Sequence, residues 1–191
     1  LTLAQGVIDP NNTIVVNLSD EQKARYGFYY LAIQAITDIA HYDDITEGIV
    51  DTEFNSTFYG IHERDEGIDA IFIDNNSNHI SLFNFKYRAK FNIDQQQNLN
   101  ETILSAKYLS VLNTQHNDLT GKLRQATDTI LSCLNSNEEW QITFYVVSNE
   151  NHPIPADDRN LQQMKAIYGI NIETIGLDDI CNLISDRPTD I

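Results

Sequence analysis

Positive charge is what this chain is short of. Its 191 residues hold 12 Lys and Arg against 28 Asp and Glu, a formal net charge of −16. A general phosphate-binding surface needs clustered basic side chains, so the charge balance excludes one here. Contact with nucleic acid has to be local, metal-bridged, or made by chain outside these residues. Cysteine is nearly absent. Cys133 and Cys181 lie in apolar contexts with no disulfide or metal spacing, and read as reduced core residues. No apolar run approaches the roughly 20 residues of a membrane helix, and no basic-then-hydrophobic leader opens the sequence. A cytoplasmic protein is expected. The chain starts without Met and ends in the linker-like Asp186-Arg187-Pro188-Thr189-Asp190-Ile191, so it reads as an N-terminal piece of something longer.

Other chemistries are missing as well. The histidines at 41, 62, 79, 116 and 152 have no zinc spacing. There is no Ser-centred nucleophile elbow, and Gly121-Lys122 lacks the glycine pattern that precedes a phosphate loop.

What is present suits one α/β domain. Hydrophobic residues make up 41% of the chain, enough for a core over about 20–150 with further α/β elements over 151–191. Ser19-Asp20-Glu21-Gln22 reads as a capping box ahead of apolar residues at helical spacing, so the sequence predicts a helix over 20–40. One or two helical turns follow around 43–51. Residues 56–62 read as a short strand, 68–74 and 79–91 as strands, and 98–113 and 118–135 as helices. Residues 94–100 read as a polar loop, 140–148 as a buried strand, 156–168 as a helix, 169–175 as a strand and 177–185 as a last helix.

The hairpin over 67–90 carries the chemistry. A four-residue turn at 75–78 pairs Asp74 with His79. That register sets Asp69 opposite Asn84 and Gly67 opposite Lys86. Directly opposed residues share a face with Cβ atoms about 4.5–5.5 Å apart. Lys86 lies two residues beyond Asn84, on the same side. An acid, an amide and an amine therefore meet, and a one-residue slip would part them. Mg²⁺, for which Mn²⁺ can substitute, prefers such oxygen donors. Asp69 and Asn84 would hold it and Lys86 would orient the attacking water. Arg88 and Lys90 continue the Lys86 face as a short phosphate track. Phe83, Phe85, Tyr87 and Phe91 fall on the other face as core. The plain alternatives are an Asp–Lys ion pair across a hairpin, and a basic alternation that discourages edge pairing.

The run "GIDAIFID … ISLFNFKYR" resembles the core of PD-(D/E)XK nucleases. In that family an acid opens one core strand and a D/E-x-K triplet lies on the next. Asp69 matches the first acid, and Asn84-Phe85-Lys86 occupies the triplet with a neutral residue in the acid's place. The wider stretch "ITEGIVD … RDEGIDAIFID … LFNFKYR" is similar to the N-terminal region of AIPR-type abortive-infection phage-resistance proteins, whose triplet commonly reads Gln-x-Lys. The motif resemblance covers residues 45–88, and the order of elements extends it to about 148. It implies a restriction-endonuclease-like fold with a mixed central sheet flanked by helices. It also implies Mg²⁺-dependent cleavage of DNA or RNA in phage defence. Separately from the resemblance, a homodimer is one assembly left open. By the same resemblance Glu47 or Asp51 completes the metal site. Asp65 and Glu66 are the alternatives, or simply solvate their loop. Because Asn84 is neutral, a domain that has kept this scaffold for assembly or partner binding, without chemistry, is the competing reading.

Overall fold

The computed structural model describes residues 1–90, 92, 94–97, 107–114 and 118–186. These form an α/β fold with a mixed four-stranded sheet, β1 (Ala70–Asp74), β2 (His79–Lys86), β3 (Gln141–Ser148) and β4 (Asn171–Ile175), in that spatial order. β1 and β2 are antiparallel, while β2–β3 and β3–β4 are parallel. The parallel pairs need crossovers, which helices provide. The helices are α1 (Gln5–Ile8), α2 (Asp20–Thr37), α3 (Tyr42–Gly48), α4 (Thr52–Tyr59), α5 (Lys107–Thr114), α6 (Gly121–Leu134), α7 (Arg159–Tyr168) and α8 (Leu177–Ser185). None of the described helices is long and apolar enough to cross a membrane.

β2 is buried on both sides because it is internal to the sheet. Its alternate residues feed two cores. Phe83 and Phe85 join Tyr26, Tyr29, Phe54, Ile45 and Ile180, from α2, α4, α3 and α8. Ile80 and Leu82 join Tyr108, Leu123, Ile130, Leu161 and Phe144, from α5, α6, α7 and β3. The first core is aromatic. Tyr29 stacks on Phe85 with ring centroids 4.3 Å apart, and Tyr26 meets Phe54 edge-on at 5.3 Å.

The expected capping box forms. Gln22 N–H donates to Ser19 Oγ at 3.1 Å, and Ser19 N–H donates to Gln22 Oε1 at 3.0 Å. This end of α2 is exposed, so Ser19→Ala is expected to cost about 1 kcal/mol in thermal unfolding and to leave the site below untouched. The register is the expected one, with Asp74 beside His79 and Ala70 beside Phe83.

Three expectations fail. Residues 56–62 are not a strand; most of them belong to α4. Asp51 caps that helix by accepting Phe54 N–H at 2.5 Å, Phe54 and Phe58 pack at i and i+4, and Gly60 ends it at φ 67°. β2 stops at Lys86 rather than at 91. The Asn149 side chain takes over the backbone of Arg88, accepting its N–H at 2.7 Å and donating to its carbonyl at 2.8 Å, just where β3 ends at Ser148. Cys181 is exposed and Cys133 only half-buried, both free, because α8 and α6 turn those positions outward. In the expected loop 94–100, Gln97 is buried and donates to the Val146 carbonyl at 3.0 Å. Residues 91 and 98–100, and most of the expected helix 98–113, lie outside the described residues.

Candidate metal centre

The antiparallel ladder ends in a specific way. Asp69 N–H donates to the Phe83 carbonyl at 2.8 Å, and then the chain turns away through Glu66 and Gly67, both at positive φ. The next ladder donor, Phe85 N–H, is left for a side chain, and Asp69 Oδ2 accepts it at 2.5 Å. The carboxylate is thus fixed at the start of β1 by the strand it fails to continue. Asn84, opposite, donates from Nδ2 to the Gly67 carbonyl at 2.8 Å and to Asp69 Oδ2 at 3.3 Å. The amide ties both the turn and the acid to β2.

Asp51 and Asp65 join Asp69. One carboxylate oxygen from each lies within 4.8 Å of the others. Asp51 comes from the α4 cap, and its backbone N–H donates to the Asp69 carbonyl at 3.0 Å. Asp65 accepts Thr52 N–H at 3.0 Å and Gly67 N–H at 2.9 Å. Asp51 is 3% exposed, Asp69 7% and Asn84 3%. Burial and the neighbouring Asp51 push the Asp69 carboxyl well above the usual carboxylate range, against the lowering effect of Phe85 N–H.

Two residues of α2 steady Asp51. Tyr29 Oη donates to Asp51 Oδ2 at 3.3 Å, and Arg25 Nη2 donates to the same oxygen at 3.1 Å. Arg25 Nε donates to Tyr29 Oη at 3.1 Å, and the guanidinium also pairs with Glu53. Burial, with Asp69 and Asp51 nearby, raises the Tyr29 phenol well above its ordinary value, so it stays a donor. Neither residue was a site candidate from sequence. Their i, i+4 spacing on one helix face was the available signal, but it does not say which acid they meet.

The structure unites some sequence candidates and separates others. Asp69 and Asn84 meet as the register requires. Lys86 is half-buried, two residues along β2 beside Ser148. Asp51 and Asp65, not Glu47, approach Asp69. Glu47 is exposed on α3 and lines a different hollow with Lys122, because α3 ends before the chain reaches β1. Arg88 and Lys90 lie past the end of β2, so they do not extend the Lys86 face. Arg88 sits 3.6 Å from the buried Glu150 (Nε to Oε1), and Lys90 is exposed in a bend. Glu66 pairs with Lys107.

The donor set suits a hard divalent cation. Three carboxylates offer the oxygen ligands that Mg²⁺ and Mn²⁺ prefer. Among the described residues Asn84 Oδ1 is buried without a hydrogen-bond partner, an orphaned acceptor in the same place. Without a cation, three carboxylates this close repel one another. No protein-family model, curated protein or solved structure matches the chain.

Proposed function

We propose that this domain is a metal-dependent phosphodiesterase of the PD-(D/E)XK type, in a phage-defence protein of the AIPR kind. The observation that carries the reading is the Asp51–Asp65–Asp69 cluster at the start of the β1–β2 hairpin, beside the Asn84-Phe85-Lys86 triplet. The α/β frame with a mixed sheet is compatible with that fold class. Asp51 and Asp65 offer the negative charge that Asn84 lacks.

In this reading Asp51, Asp65 and Asp69 hold Mg²⁺ or Mn²⁺. Such an ion offsets charge developing on a phosphoryl oxygen. Arg25 and Tyr29 keep Asp51 aimed at the cluster. Asn84 is a positioning residue: it fixes Asp69 and the Gly67 turn through its N–H groups. Lys86 orients the attacking water and stabilises the anionic transition state.

The test is Mn²⁺-dependent cleavage of plasmid, single-stranded DNA and RNA, with Asp69→Ala and Lys86→Ala alongside. Wild-type cleavage reduced about 10²–10³-fold in each variant, with unchanged circular dichroism, is the expected result. Undiminished cleavage in Lys86→Ala sinks its role. No cleavage and no Mn²⁺ binding by folded wild type would favour a scaffold for assembly or partner binding.

A further inference from the structure

An open hollow of about 350 Å³ adjoins the acid cluster, lined by Thr52, Arg64, Asp65, Glu66, Gly67 and Lys107. Asp65 belongs to both. Most of the charge around this hollow is already spoken for. Asp65 accepts two backbone N–H groups, and Glu66 holds Lys107. Arg64 differs. It is exposed, and among the described residues it has no hydrogen-bond or ion-pair partner. In a chain with 12 basic and 28 acidic residues, an arginine with no carboxylate beside the acid cluster is a cation available to something else.

We propose that Arg64 and Lys107, rather than Arg88 and Lys90, grip the phosphates of a nucleic-acid backbone, and that the strand crosses Gly67 to reach Asp65. This rests on the phosphodiesterase reading above. A guanidinium is suited to phosphate because its planar fork makes two parallel hydrogen bonds. The Lys107 side chain is 64% exposed, and its ammonium carries three donors, so it can reach a phosphate while it still holds Glu66. Gly67 stands at φ 84° with no side chain to hold a backbone off. A divalent cation on the three neighbouring carboxylates offsets two of their negative charges and so lessens their repulsion of the strand. Arg88 is less suited, since the buried Glu150 already balances it.

The test is fluorescence anisotropy with labelled single-stranded DNA and RNA oligomers of roughly 20 nucleotides. Ca²⁺ replaces Mn²⁺ so that binding is read without cleavage, and salt is varied between about 50 and 200 mM. Wild type is expected to bind at least one oligomer, and the arm that binds identifies the nucleic acid. Arg64→Gln/Lys107→Gln is expected to bind roughly tenfold more weakly, with a salt slope shallower by about 0.7 for each lost contact. Both positions are exposed, so the variant keeps its fold, which circular dichroism checks. If the double variant binds and cleaves like wild type, the proposal is overturned and the phosphodiesterase reading stands. If wild type binds, does not cleave with Mn²⁺, and the double variant loses binding, the proposal stands and the cleavage chemistry falls. No binding by wild type in either arm overturns the proposal.

Discussion

Asp69→Asn is expected to unfold at a higher temperature than wild type in chelator at neutral pH, and to lose its response to Mn²⁺. The asparagine can still accept Phe85 N–H, and its own N–H groups can face Asp51 in place of a like charge. Relieving that repulsion stabilises the metal-free fold, the usual trade of stability for function at a charged site. In wild type, Mn²⁺ at a hundred times its dissociation constant should add about 2.7 kcal/mol, or roughly 5–11 °C for a chain of this size. The variant should show none of it.

The pH dependence has a definite sign. The folded state raises the Asp69 carboxyl above its unfolded value, so it holds that proton more tightly than the unfolded chain does. The penalty is absent below the unfolded value, near 3.9, and grows as pH rises from there towards the folded value. The stability gap between Asp69→Asn and wild type should therefore widen over that window in chelator, and close when Mn²⁺ is added. Calorimetry across the range checks this. A variant less stable than wild type at neutral pH would make Asp69 a structural residue.

Asn84→Asp is expected to do the opposite. It restores the acid that the resembled motif carries, yet removes the donor that both the Gly67 carbonyl and Asp69 Oδ2 accept from. It also adds a fourth carboxylate to a buried cluster. The cost in chelator should be on the order of 3–5 kcal/mol at neutral pH, that of an uncompensated buried charge. Mn²⁺ should recover more stability here than in wild type, because the added charge favours the ion. Chemical denaturation with and without Mn²⁺ reads both effects. A variant as stable as wild type in chelator would mean that Asn84 does not hold the turn as its hydrogen bonds indicate.

The sequence was most legible where local chemistry decides conformation. The α2 capping box, the four-residue turn at 75–78 and the β1–β2 register follow from side chains acting on their own backbone neighbours and from alternation of period two. That register brought Asp69 and Asn84 together before any tertiary contact was known. The same logic over-extended β2. Alternation runs on to residue 91 in the sequence, but the strand ends when Asn149, sixty-one positions away from Arg88, captures its backbone. The helix at 52–59 was legible in principle from the Asp51 cap and the Phe54–Phe58 spacing, and lost to the β propensity of its aromatics.

The metal site divides the same way. Which strand pair carries Asp69 and Asn84 was local information, since hairpin pairing needs only the turn and the pleat. Which further acids reach them was not. Asp51, Asp65, Glu47 and Glu66 are all acids within a short stretch, and nothing in their spacing ranks them. Tertiary packing decided it. The α4 cap sets Asp51 against the Asp69 backbone, the Gly67 turn folds Asp65 back, α3 leaves Glu47 outside, and Lys107 draws Glu66 away. Arg25 and Tyr29 enter only because α2 lies on the Phe85 face of the sheet. A carboxylate's role here depends on which side of a packed element it emerges from, and that is fixed by long-range burial rather than by its neighbours in the chain.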